Sequence, residues 1–437
     1  MENKPEWKNA NIGIVVLARL NSKRLKHKVL SLIGNKMAIE ILLDNVINSH
    51  YPVILAIREN KEDDILEKIA TEKGVQVYRG QDDSPLHRLA ECSKEFDYVV
   101  RVTSDDILID QIIMNNMIKF CINGNNEYVY VKKILEGVGV EIIKSTVLQK
   151  VANEIQDDIE YISYPIKEKF RTKQYYPPPE YQFPYRLTLD YEEDLMLLRL
   201  VYASLSHPIG TLDIINFLKS HPYFTQINRL PTVTIYTSCY NQSEYIIDCL
   251  NSIMGQTYND FELLIFDDCS TDDTPKKLLN WYSELELCNT NKVKIIRNLT
   301  NLGLPGTCNK ALEKSRGKYI IRIDSDDIML ENCLQKMVDL IKYDNTHAVY
   351  SGFKEVDENL DEFEISEPDF KHAGCVLFSR FACNELKFKD GIQYLEGKEF
   401  FNRFNKQYKY STILEPLWLY RQHRDQRSKH KDHPDNE

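Results

Sequence analysis

The run Tyr319-Ile320-Ile321-Arg322-Ile323-Asp324-Ser325-Asp326-Asp327 packs three carboxylates into four positions at the end of an apolar segment. Tyr319 to Ile323 reads as a buried strand, and Met329 to Lys342 as the helix that follows it. Open α/β sheets bind ligands at the carboxyl ends of their strands. Acidic groups crowded there repel one another unless a cation sits between them. An acidic turn with Asp327 as helix N-cap is the alternative, and it accounts for one carboxylate only. Thr103-Ser104-Asp105-Asp106 ends another such segment far earlier in the chain, so the same device occurs twice.

A chain of 437 residues is long enough for two domains. The alternating pattern breaks at Ser206-His207-Pro208-Ile209-Gly210 and restarts at Val233, which puts the boundary near Arg229 and the domains at 1–229 and 230–437. A net charge of −11 excludes a general nucleic-acid binder. Ten cysteines with no C-x-x-C pair read as reduced thiols, hence a cytoplasmic protein. No apolar run is long enough for a transmembrane segment, so any membrane contact is expected to be peripheral.

In the first half, Ile12–Leu17 reads as a strand feeding a basic loop with Arg19, Arg24 and Lys28. Strand and helix patterns then alternate as far as Tyr98–Val102, which implies a largely parallel sheet covered on both faces. The loop after a first strand is a natural phosphate cradle. A merely basic surface loop is the alternative. Opposite it, the Asp105-Asp106 turn offers carboxylates of the kind Mg²⁺ takes together with phosphate oxygens.

Ala18-Arg19, Ser22-Lys23-Arg24-Leu25 and Lys28-Val29-Leu30 resemble the opening signature of sugar cytidylyltransferases. Those include the spore-coat polysaccharide and 3-deoxy-manno-octulosonate cytidylyltransferase families. Tyr78-Arg79-Gly80, Asp82-Asp83, Arg101 to Asp105, Leu108 to Asp110, Gly139 to Glu141 and Arg186 to Asp190 follow in the order of that family's later blocks. The resemblance implies that Arg19, Ser22, Arg24 and Lys28 hold the phosphates of CTP. It also implies that Asp105 and Asp190 hold Mg²⁺, while a sugar or sugar acid attacks the α-phosphorus. Lys26-His27 stands where the family has Pro-Gly, so the turn must form without either special residue. That departure motivates a second reading, in which the first half only binds nucleotide or docks a partner.

In the second half, Thr237 to Asn241, Gln256 to Glu262, Asp267 to Asp272, Asn301 to Gly303 and Gly317 to Asp327 resemble family 2 glycosyltransferases. The fold this implies is the glycosyltransferase A fold, making two Rossmann-like α/β domains in all, the first a nucleotidyltransferase α/β sandwich. The resemblance implies nucleotide contacts from Ser238, Tyr240, Asp268 and Asp324, and Mg²⁺ or Mn²⁺ at Asp326. The donor expected is a UDP-, GDP- or TDP-sugar, and the acceptor a glycan or a lipid-linked sugar. Inverting transfer needs a base. Glu396 matches the family's Glu, with Gly397 where an Asp is expected and Glu399 as second candidate. His423, in a closing segment like the family's, is placed to reach diphosphate or metal. A structural histidine is the alternative.

Overall fold

The computed structural model describes residues 9–22, 24–80, 84–155, 162–368, 374–389, 391–392, 396–424 and 426. Lys23, Asp82 and Asp83, quoted above as parts of motifs, lie outside them. The chain forms two compact units, residues 1–229 and 230–437.

The first unit is built on a seven-stranded sheet. Its strands are β1 (Ile12–Leu17), β2 (Val53–Arg58), β3 (Gln76–Gly80), β4 (Tyr98–Thr103), β5 (Tyr128–Val131), β6 (Glu141–Lys144) and β7 (Thr172–Tyr175), in the spatial order β3-β2-β1-β4-β6-β5-β7. The first four run parallel, and β6 returns antiparallel to β4. Ile14 and Val16 pack on one face and Val15 on the other, all at 0% exposure. A strand covered twice needs such a continuous β-branched run, each side chain contributing about 1.5–3 kcal/mol on burial. β5, β6 and β7 have only four residues each, too short to announce themselves as strands by period.

The second unit repeats the plan with β8 (Val233–Cys239), β9 (Phe261–Asp267), β10 (Val293–Arg297), β11 (Tyr319–Arg322), β12 (Ile328–Met329), β13 (Ala348–Val356), β14 (Glu362–Ser366), β15 (Leu377–Ser379) and β16 (Tyr410–Arg421). Their order is β10-β9-β8-β11-β15-β13-β16-β12, with β14 on β13. β8, β9, β10 and β11 are parallel, so the turns after β8, β9 and β11 open at one end of the sheet.

Two sequence expectations change. The segment after Asp327 is not directly helical: Ile328 and Met329 pair with Leu419 and Trp418 of β16, and the helix runs Cys333–Asp344. Asp327 therefore caps nothing. It is fully buried and accepts the Arg421 N–H at 3.0 Å.

The turn without Pro-Gly does form. His27 adopts the left-handed conformation (φ 54°), and its carbonyl accepts the Leu30 N–H at 2.9 Å. A side chain there carries strain that glycine would not. His27→Gly is expected to raise stability by about 0.5–1 kcal/mol, read as a rise in the chemical-denaturation midpoint at constant slope.

Candidate active sites

At the carboxyl ends of β1 and β4, residues far apart in sequence meet. Lys28 Nζ lies 3.1 Å from Asp105 Oδ2 and 2.9 Å from Asp190 Oδ1. Arg24 Nη1 reaches Asp190 Oδ2 at 3.0 Å, and Arg186 Nη2 reaches the same oxygen at 3.1 Å. Burial alone would push the Asp190 carboxyl up, but Lys28, Arg24 and Arg186 outweigh it and hold it far below the usual carboxylate range. The Lys28 ammonium, disfavoured by burial, is likewise held above the ordinary lysine value by Asp105 and Asp190. Arg19 lies exposed and Ser22 half-buried on the same loop.

The support from Asp63 was not foreseen, and Asp106, expected beside Asp105 as a carboxylate for Mg²⁺, is a support too. The wholly buried Asp63 carboxylate accepts the Leu20 N–H at 2.7 Å, which fastens the basic loop to the sheet. Asp106 lies beneath the site, accepting the Thr103 and Thr188 hydroxyls, each at 2.9 Å. Burial first, and then Asp105 beside it, push the Asp106 carboxyl up to about 7. The signal for Asp63 was faint, since an Asp in an acidic helix start reads as a cap. Arg186 stood inside a quoted motif, yet only the fold reveals that it forks onto Asp190 and Asp194.

In the second unit, the turns after β8, β9 and β11 assemble a second acidic seat. Asn241 and Cys269 take positive φ (53° and 68°). The Asn241 side-chain oxygen accepts the Thr271 N–H at 2.8 Å and the Asn241 backbone N–H donates to Ser270 Oγ at 3.0 Å, locking the first two turns together. Ser238 is half-buried. Tyr240 is 48% exposed, so it is not a core aromatic. Asp268 is buried; its Oδ1 accepts from Asn298 Nδ2 (2.7 Å) and the Leu302 N–H (2.9 Å), holding the loop that follows β10.

Around the three-carboxylate turn, His423 Nε2 lies 2.9 Å from Asp326 Oδ2, its imidazole packed against the Tyr245 ring at 4.5 Å between centroids and tilted by 38°. Asp324 Oδ1 accepts from Arg322 Nε at 2.6 Å, and the same guanidinium stands 3.4 Å from Glu396 Oε1 through Nη1. Arg322 thus ties the base candidate to the acidic turn from a position 4% exposed. It was visible in sequence as the one charge in an apolar strand, and a buried guanidinium calls for carboxylate partners. Glu399 instead faces Arg403 (2.8 Å) and Lys389 (2.8 Å), which hold its carboxyl below the ordinary value. The Oδ2 of Asp327 is buried with no hydrogen-bond partner among the described residues.

A Cβ added to Gly374 would stand 3.4 Å from Asp324 Oδ2 and 3.7 Å from Asp327 Oδ2. Gly374→Val is expected to weaken nucleoside-diphosphate binding at least about tenfold by crowding these carboxylates, with the melting temperature unchanged; titration calorimetry with UDP and GDP reads it.

Among the described residues no group of three or more His, Cys, Asp or Glu is assembled for a metal, and no helix is long and apolar enough to cross a membrane. Residues 13–206 match the cytidylyltransferase family model, and residues 234–425 the model of glycosyl transferase family 2. The uncharacterized protein MJ1063 of Methanocaldococcus jannaschii is 31% identical over 50% of this chain and 93% of its own length. The spore coat polysaccharide biosynthesis protein SpsF of Bacillus subtilis is 23% identical over 48% of this chain and 95% of its own. Chondroitin synthase of Escherichia coli is 36% identical over 30% of this chain; the match spans only 18% of that enzyme's length. The chain is accordingly a transferase made of two parts, a first half that matches the cytidylyltransferase family model and a second half that matches the model of glycosyl transferase family 2.

Proposed function

We propose that the chain carries out two steps of surface-glycan assembly. The first unit activates a sugar or sugar acid with CTP. The second transfers a sugar, with inversion, from a UDP-, GDP- or TDP-sugar to a hydroxyl of a glycan or lipid-linked acceptor. What supports this most is convergence: Arg24, Lys28, Asp105 and Asp190 meet in one unit, and Asp324, Asp326, His423 and, through Arg322, Glu396 meet in the other.

In the first site the basic loop binds the triphosphate, with Arg19, Arg24 and Lys28 stabilising charge that develops on the leaving pyrophosphate. In the second, Ser238, Tyr240 and Asp268 take the nucleoside, and Tyr240 offers an exposed ring for the base to stack on. Glu396 accepts the proton of the acceptor hydroxyl as that oxygen attacks the anomeric carbon. Glu399, paired to two cations, is the poorer base.

The donor sets suit Mg²⁺ or Mn²⁺. Asp105 and Asp190 already share one cationic group, and Asp326 with His423 pairs a carboxylate with an imidazole, ligands of ordinary type that phosphate oxygens would complete. A metal there would neutralise phosphate charge. Eight of the ten cysteines are seen as free thiols, in keeping with a cytoplasmic location.

The test is thermal shift on the full chain with CTP, UDP, GDP and TDP, with and without Mg²⁺ or Mn²⁺. A ligand at about a hundred times its dissociation constant adds about 2.7 kcal/mol. Asp190→Asn should abolish the CTP response alone, and Asp324→Asn the diphosphate response alone. Pyrophosphate release that persists unchanged in Arg24→Ala would refute the first site. A wild-type chain that responds to diphosphates but never to CTP would leave a glycosyltransferase with an inactive first half.

A further inference from the structure

The two carboxylates that the first site offers to a cation already hold one. Lys28 Nζ bridges Asp105 Oδ2 and Asp190 Oδ1 at 3.1 and 2.9 Å, with only 12% of its side chain exposed. The other oxygen of Asp190 is covered by Arg24 and Arg186 at 3.0 and 3.1 Å. Arg186 is in turn fixed by Asp194, at 2.8 Å and 3.1 Å, whereas Arg24 keeps 35% of its side chain in solvent.

We propose that Lys28 is a stand-in cation that closes this seat to free divalent metal, so that metal enters only together with a triphosphate that draws Lys28 and Arg24 away. The closing rests on the ion pairs alone; the opening rests on the CTP reading above. A divalent ion arriving by itself must shed water, which Mg²⁺ does reluctantly. It must also strand a buried ammonium without counter-charge, a costly state. A triphosphate removes that obstacle, because it offers both side chains charge-assisted bonds of its own. In charge terms, Lys28, Arg24 and Arg186 offset Asp105, Asp190 and Asp194 at the seat itself, with Glu136 farther out at 3.8 Å from Arg186, so a cation gains little there until an anion draws the resident side chains away.

Free Mn²⁺ is counted by electron paramagnetic resonance on the full chain without nucleotide. Wild type and Asp190→Asn are expected to bind the same number of ions, those of the second unit being common to both. Lys28→Met is expected to gain one ion, at least tenfold tighter than any wild-type binding at this seat, and to lose it again when Asp190→Asn is added. Lys28→Gln, and a melting temperature that rises with Mn²⁺ in the Lys28 variants but not in wild type, provide the same reading if Lys28→Met folds poorly. The proposal is overturned if wild type loses an ion on Asp190→Asn, or if neither Lys28 variant gains one. For the opening, CTP titrated calorimetrically should bind at least tenfold tighter in Mg²⁺ than in EDTA; equal affinities overturn it. A chain that binds no CTP at all refutes the CTP reading, and the opening with it, while the nucleotide-free counts still decide the role of Lys28.

Discussion

Glu396→Gln should slow glycosyl transfer by about a thousandfold, the middle of the range for removing a general base, and leave nucleoside-diphosphate binding intact. The amide keeps the shape and the contact with the Arg322 guanidinium, 3.4 Å away, but cannot accept the acceptor's proton. Rates with saturating donor and acceptor, set beside the dissociation constant of the diphosphate, separate the two effects. Glu399→Gln is the control: its carboxylate is taken up by Arg403 and Lys389, so transfer should fall less than about tenfold. If Glu399→Gln proves the more damaging of the two, the base has been assigned to the wrong carboxylate.

Asp190→Asn should lower pyrophosphate release from CTP by about a hundred- to a thousandfold, the usual cost of one preorganised electrostatic partner. The same carboxylate bears on stability. Its pKa in the folded chain is depressed: burial opposes ionisation, but Lys28 and Arg24 outweigh burial. A group depressed in this way stabilises the fold fully above the unfolded-chain value, near pH 4, and that contribution is lost as pH falls through the folded value. Wild type should therefore lose stability on acidification below about pH 4 more steeply than Asp190→Asn, as denaturant midpoints taken across the acid range would register.

What could be read in the sequence follows from how far each signal reaches along the chain. Largely apolar runs such as Ile12–Leu17 and Phe261–Asp267 announced buried parallel strands, because double-sided burial leaves its mark residue by residue. The acidic turns were legible for the same local reason. Partnerships were not. Nothing local joins Lys28 to Asp190 or Arg322 to Glu396, since those pairs arise from strand order and the return of late elements. The misplaced helix after Asp327 has the same origin: Ile328 and Met329 are drawn into a strand by Leu419 and Trp418, which no window around Asp327 contains. Arg322 was the recoverable omission, because a lone guanidinium in an apolar strand already demands carboxylates nearby.

The reach of those pairings bears on how the protein is made. Lys28 waits for Asp190, and Asp326 for His423 just past β16, so each seat is closed by a residue far later in the chain. A chain still emerging from the ribosome holds one member of each pair without the other, and a nucleotide finds no purchase on it. Protection of nascent chains from protease by CTP, and separately by a nucleoside diphosphate, would thus mark the moment at which each unit is finished, the first while the second is still being synthesised.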